Sequence, residues 1–414
     1  MTTKNNIPAG YKESAVGIIP QEWCVFDFGD IAYVSKEKYT PTKSSHIACV
    51  ELEHLSQGDG VLLGYTEAGL QKSTKNIFKK GSILFGKLRP YLRKYWLATF
   101  EGVCSSEIWV LNTNEEVCIK EYLYRLISSE RFIQFANVSI GSKMPRADWD
   151  FVSLTPFSIP PMAEQRKIAE ILGVWDEAIE KQSRLIEKLE LRKRALMQRL
   201  LTGRTRLPGF TTPWQKVKLG EIGKITSAGV DKKINEGEVP VRLLNFVDVF
   251  YRDFIYNNEL THWVTAKSTK VEQCSVQKGD IFFTPSSEMP TDIALSVVAM
   301  EDMEGVVYSY HIVRLRLHIE MDLYYRAYAF KTDEFYKQAE RICDGSGQRY
   351  VISQDGFRNM SIHLPPLPEQ KAIAEVLTAA DNEIATHRKK LDALRLQKRG
   401  LMQQLLTGKT RVKI

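Results

Sequence analysis

Two stretches of the chain place a seam residue at alternating steps of four and three. The first runs through Ile168, Leu172, Trp175, Ile179, Ile186, Leu189, Leu196 and Leu200, with polar Gln182 and Lys193 falling in step. The second runs through Ile373, Leu377, Ala380, Ile384, Leu391, Leu394, Leu401 and Leu405, and its polar breaks, His387 and Lys398, fall at the same two places. Such spacing is the heptad seam of a helix that packs against another helix. Proline pairs (Pro160-Pro161, Pro365-Pro366) suit the helix starts, and Gly203 and Gly408 suit their ends. A helix of about 40 residues spans roughly 60 Å. A single seam could pack on the nearest core; two matching seams favour pairing with each other. The basic flanks Arg192-Lys193-Arg194 and Lys398-Arg399 then read as solvated or partner-facing.

The remaining segments mix both periods. Ile83-Leu84-Phe85, Ile108 to Leu111, Ile281-Phe282-Phe283 and Val306 to Leu317 are rich in β-branched and aromatic residues and predict strands. Glu121 to Phe135 and Asp322 to Ile342 carry helical apolar spacing. Each large segment is therefore an α+β domain big enough for its own core.

The chain is also written twice. Pro160-Pro161-Met-Ala-Glu164-Gln165 returns as Pro365-Pro366-Leu-Pro-Glu369-Gln370, and Leu200-Leu201-Thr202-Gly203 returns as Leu405-Leu406-Thr407-Gly408. Upstream the match is weaker but stays in order, from Trp23 with Trp214 to Gly141-Ser142 with Gly345-Ser346. The plan is a domain (1–160), a helix (161–207), a second domain (208–365) and a second helix (366–414).

Composition narrows the function classes. Of 414 residues 43% are hydrophobic and 26% charged, ordinary for a globular chain, and no apolar run is long enough to span a membrane. The polar start carries no signal-peptide core, and six scattered cysteines lack paired ligand spacing, so a cytosolic protein with reduced thiols is expected. The net charge of +7 resides in the two helical stretches, leaving the large domains near neutral. Nucleic-acid contact by those domains must come from local clusters, not bulk charge.

Catalytic signatures are missing: there is no phosphate-binding glycine loop, no dinucleotide fingerprint, no Asn-Pro-Pro-aromatic motif and no metal-spaced histidine set. No catalytic residue, cofactor site or metal site is expected in this chain. The stretch Gly86 to Trp96 interleaves Lys87, Arg89, Arg93 and Lys94 with aromatics, as a surface touching both phosphates and bases would; the plainer alternative is a solvated strand edge. A loop carrying Ser142, Lys143 and Arg146 matches Ser346, Gln348 and Arg349 in the second repeat, and these types read base edges. The second domain replaces the basic stretch with Thr284 to Thr291, including Ser286 and Ser287, so the two domains should not read the same ligand.

These features together resemble the DNA-specificity subunit of type I restriction–modification enzymes. Those that carry it are Gly17-Ile-Ile-Pro20-Gln-Glu-Trp23, Lys80-Gly81-Ser82-Ile83-Leu84-Phe85-Gly86-Lys87-Leu88-Arg89-Pro90, the duplicated Pro-Pro-x-x-Glu-Gln and the Leu-Leu-Thr-Gly ends. The resemblance spans nearly the whole chain. It implies two tandem target-recognition α+β domains, each reading half of a split sequence in double-stranded DNA. The helices would form an antiparallel coiled coil with pseudo-two-fold symmetry, serving as spacer and docking surface. It further implies methyltransferase subunits, two by expectation, that carry S-adenosylmethionine, and a restriction motor–nuclease subunit using ATP and magnesium. A scaffold with two divergent ligand-binding domains that never meets DNA is the competing reading; duplex binding across a salt series separates the two.

Overall fold

The computed structural model describes residues 7–138, 144–227, 229–250, 252–346 and 349–414. Two helices dominate, Met162–Leu200 and Leu367–Leu406. Each stops where the glycine expectation placed it, with Gly203 at φ 69° and Gly408 at φ 70°, left-handed values that favour glycine at a helix exit.

The chain forms two compact units, and each takes a share of both helices: residues 1–183 with 390–414, and residues 184–389. Within the first unit, Ile168 and Leu172 share a core with Met402, Leu405 and Leu406. Within the second, Met197, Leu200 and Leu201 share one with Ile373, Ala374 and Leu377. Ion pairs set the direction. In the second unit Arg192 meets Glu383 and Glu190 meets Arg388, so numbers rise along one helix as they fall along the other. The helices pair antiparallel, and every position of both predicted seams is buried or half-buried.

The basic flanks meet their expectation at Arg192, Arg194 and Arg399, which are exposed, and depart from it at the two lysines. Lys193 and Lys398 do not face solvent; each turns into its unit. Lys193 Nζ lies 2.5 Å from Asp381 and 3.0 Å from Asp253, while Lys398 pairs with Asp176, which also takes Arg125. Lysine in a seam is tolerated when its ammonium finds buried carboxylates, and here the repeat supplies them at matching positions.

In the first unit a four-stranded antiparallel sheet is ordered Tyr95–Leu97, Ile83–Gly86, Ile108–Thr113 and Ala32–Val34. A five-stranded sheet is ordered Lys38–Tyr39, Lys75–Phe78, Gly102–Cys104, Ala48–Val50 and Thr66–Glu67. The second unit repeats the theme: Gly223–Thr226, Val313–Leu317, Ile281–Phe283, Ser296–Ala299 and Phe254–Ile255 in one sheet, and Trp263–Ala266, Val239–Leu244, Met303–Tyr308 and Ser275–Val276 in the other. All four predicted strand regions are found, Val306 to Leu317 as the end of one strand and the whole of the next.

The helical stretches beside them break in two. Lys120–Ile127 and Glu130–Ala136 are separate, as are Leu323–Ala329 and Asp333–Ile342. Apolar spacing carries across each break, but Ser129 and Thr332 accept from the amides of Phe132 and Phe335 and start new helices there.

The duplicated Glu-Gln motif does more than open a helix. Glu164 is fully buried; Trp23 Nε1 donates to it at 2.9 Å and Arg411 grips it with two donors at 2.8 and 3.0 Å. Glu369 is treated alike by Trp214 at 2.9 Å and Arg206 at 2.6 and 2.8 Å. Gln165 accepts from the Ile119 amide and donates to the Val117 and Pro160 carbonyls, and Gln370 accepts from the Asp322 amide. The motif thus clasps the start of one helix, the tail of the other and the domain between them.

Candidate nucleic-acid interface

In the first unit the basic stretch leaves the strand Ile83–Gly86 and turns tightly. Arg89 and Arg93, both at φ 51°, flank a short 3-10 turn, Pro90–Leu92. Left-handed backbone is uncommon for a non-glycine residue and persists only where neighbours enforce it. Here they do: Arg89 N donates to Pro145 O at 2.8 Å, Ala147 N to Lys87 O at 2.8 Å, and Gly58 N to Arg93 O at 3.0 Å. The structure therefore brings the basic stretch and the loop bearing Arg146 together, which the sequence could not show.

Its cations fall into two groups. Arg93 pairs with Glu130, Lys94 Nζ donates to Leu52 O at 2.6 Å, and Arg146 Nε donates to Glu107 at 3.0 Å. Glu130 titrates below the ordinary carboxylate value because it accepts from the Arg93 guanidinium. Lys87 and Arg89 have no side-chain partner among the described residues, and Arg89 is exposed beside Tyr91, which is 51% exposed. Tyr95 and Trp96 are buried, so these aromatics are core.

The second unit builds the matching place differently. Ser286–Ser287 pairs with Arg349–Val351, which pairs in turn with Asp344–Ser346, making a three-stranded ribbon. Ser287 Oγ accepts from the Met289 amide at 3.3 Å, and Thr291 sits in the 3-10 turn Pro290–Asp292. Ala294, at φ 62°, follows that turn much as Arg93 follows its own. Ser142, Lys143 and Gln348, and the side chain of Ser346, lie outside the described residues.

Positive charge is present here too, from residues far apart in sequence. Burial, with Lys232 and Arg349 close by, holds the His311 imidazole below its ordinary value. Its ring lies 3.9 Å from that of Tyr310, which is 47% exposed. No local pattern links positions 232, 310, 311 and 349, and sequence reading missed Lys232, Tyr310 and His311 for that reason. Among the described residues no group of acidic, histidine or cysteine side chains could hold a metal, and no helix is long and apolar enough to cross a membrane.

Comparison with known proteins converges on one family. The type I restriction modification DNA specificity domain matches residues 20–191 and again residues 211–396. The chain belongs to this family, and carries its domain twice. It is 26% identical to the putative type I restriction enzyme MjaX specificity subunit of Methanocaldococcus jannaschii, over 97% of each chain. It is 27% identical to the MjaVIII specificity subunit of the same organism, over 76% of this chain and 75% of the other. A solved chain described as "Structural basis underlying complex assembly and conformational transition of the type I R-M system" superposes with a TM-score of 0.63 at 20% identity, covering 95% of this chain and 99% of that one. That likeness supports the fold. Family membership supports recognition of DNA sequence.

Proposed function

We propose that this chain is the non-catalytic reader of a type I restriction–modification complex, with each unit contacting one half of a bipartite duplex target. The observation that carries this reading is a repeated scaffold with unlike faces at the same place. The first face offers Lys87, Arg89 and Tyr91 on a constrained turn, with Arg146 beside it; the second offers Ser286, Ser287, Thr291, Arg349 and Lys232. Two unlike faces on one scaffold suit two unlike half-sites, and covalent linkage makes the second contact intramolecular. Partner methyltransferase subunits supply S-adenosylmethionine and the chemistry, and a motor–nuclease subunit cuts unmodified DNA.

Mapping methylated positions in DNA from cells that express the chain with its partners tests the proposal. A split motif with a fixed gap supports it; a continuous motif, or none, refutes it. For the chain alone, duplex binding that steepens as salt falls supports the reading, and salt-independent or absent binding favours the DNA-free scaffold.

A further inference from the structure

In each unit the chain crosses from one sheet to the other in a short turn, and the two turns are built alike. The first joins Gly102–Cys104 to Ile108–Thr113, the second Met303–Tyr308 to Val313–Leu317. Ser105 N donates to Val50 O at 2.9 Å, as Ser309 N does to Leu244 O at 2.9 Å. The Ile108 amide then donates back to Ser105 O at 3.0 Å, and the Ile312 amide to Ser309 O at 3.2 Å. Each serine Oγ accepts from the amide two residues on, that of Glu107 at 3.4 Å and that of His311 at 3.3 Å. Glu107 and His311 therefore occupy one place on one frame, and the exposed residues before them, Ser106 and Tyr310, occupy another.

Both turns adjoin the basic elements of their unit. Lys87 N donates to Glu107 O at 2.9 Å, and Arg146 Nε donates to Glu107 Oε2 at 3.0 Å. In the second unit Val230 N donates to Tyr308 O at 2.9 Å and Tyr310 N to Val230 O at 3.2 Å, which brings the segment bearing Lys232 against the turn. A side chain on Gly229 would place its Cβ 2.2 Å from the Ser309 carbonyl carbon, so glycine is what permits that approach.

The frame is held constant while its tip changes, which is how one fold takes two ligands. A carboxylate repels phosphates, so on a face that meets DNA it is useful only as an acceptor, as glutamate accepts from cytosine N4 in the major groove. Arg146 takes Oε2 of Glu107, and Oε1 has no donor among the described residues. His311 offers different chemistry. Burial, Lys232 and Arg349 keep its imidazole uncharged at neutral pH, so one ring nitrogen donates while the other accepts. The exposed Tyr310 ring, 3.9 Å from the imidazole, adds an apolar surface that Ser106 lacks.

We infer that this turn is a base-selecting position in both units: Glu107 accepts from a base amino group in one half-site, and Tyr310 with His311 reads a base in the other. The inference rests on the proposed bipartite reading. Full-length chain assembled with its methyltransferase subunits provides the test, by mapping methylated positions and by competition among duplexes altered one base pair at a time. Glu107→Gln leaves one acceptor oxygen for Arg146 and the base together, and Glu107→Ala leaves none. Each is expected to lower discrimination at one base pair of one half-site about tenfold. His311→Ala should do the same in the other half-site. The opposite half-site, the gap between them and the thermal midpoint should be unaltered. Unchanged discrimination in the folded variants overturns the assignment while leaving the bipartite reading intact. Affinity that changes equally for every duplex, with discrimination kept, marks a phosphate contact and overturns it as well. A continuous motif, or none, from the unsubstituted complex refutes the bipartite reading itself, before any variant is compared.

Discussion

Glu164 and Glu369 have no exposed surface, and each is held by a two-pronged arginine and an indole N–H. Forked arginine–carboxylate pairs are geometrically strict. Glu369→Gln keeps the volume but removes the charge, and is expected to destabilise the second unit by about 2 kcal/mol, since hydrogen bonds to charged groups contribute about 1.5–3 and Arg206 is partly solvated. Hydrogen exchange should show faster opening in residues 184–389 and little change in the first unit. The two arginines of the basic turn should separate in the same spirit. Arg89→Ala is expected to weaken binding of the specific duplex by about 1–3 kcal/mol if it reads a guanine edge, leaving stability intact. Arg93→Ala removes the Glu130 pair from a strained turn, so it should lower thermal stability as well. Equal thermal midpoints for the two variants would refute the division. The repeated Glu-Gln was visible in the sequence as a helix start; its arginine partners were not, because Arg206 and Arg411 are distant in sequence and one basic residue near a helix end looks like another.

At the scale of elements, the heptad seams, the strands and the helix exits were legible because burial imposes a period on sequence. Polar seam positions were legible only as breaks. What makes Lys193 tolerable is Asp253, sixty residues away on a strand-edge segment, together with Asp381; Lys331 shares Asp253 with it. Burial pushes the Asp253 carboxyl up, but the ammonium groups of Lys331 and Lys193 outweigh it, so it titrates below the ordinary value. A carboxyl depressed in the folded state stabilises above its unfolded pKa of about 3.9, and that contribution is lost as pH falls through the folded value. The second unit should therefore lose stability on acidification from about pH 5 towards 2. Asp253→Asn should be less stable at neutral pH and lose less on acidification. Thermal midpoints across that range decide; parallel curves for the two proteins would show that Asp253 does not govern the loss.

For the whole molecule, the shared helices constrain how spacing could be changed. Arg206 follows one helix and grips Glu369 at the start of the other, so lengthening one helix alone pulls a clasp apart. Seven residues added to both, after Ser183 and after Lys389, keep the seam in step and lengthen each helix by about 10 Å. If the units read separate half-sites, the gap in the methylated motif should grow by about three base pairs at 3.4 Å each, with the half-sites unchanged. An unchanged gap in an active complex would show that the helices do not set it.

The division of both helices between two units also bears on the order of synthesis. Residues 184–389 form one uninterrupted stretch, whereas the first unit needs 390–414 to cover Ile168 and Leu172 and to deliver Arg411 to Glu164. Domains commonly fold as they leave the ribosome, the amino-terminal one first. This chain reverses that sequence: the part made first is finished last, waiting through some two hundred residues with an open helix face. A released chain truncated after Lys389 should hold a protease-resistant second unit and a cleavable first one, and the presence of the last twenty-five residues should close the first.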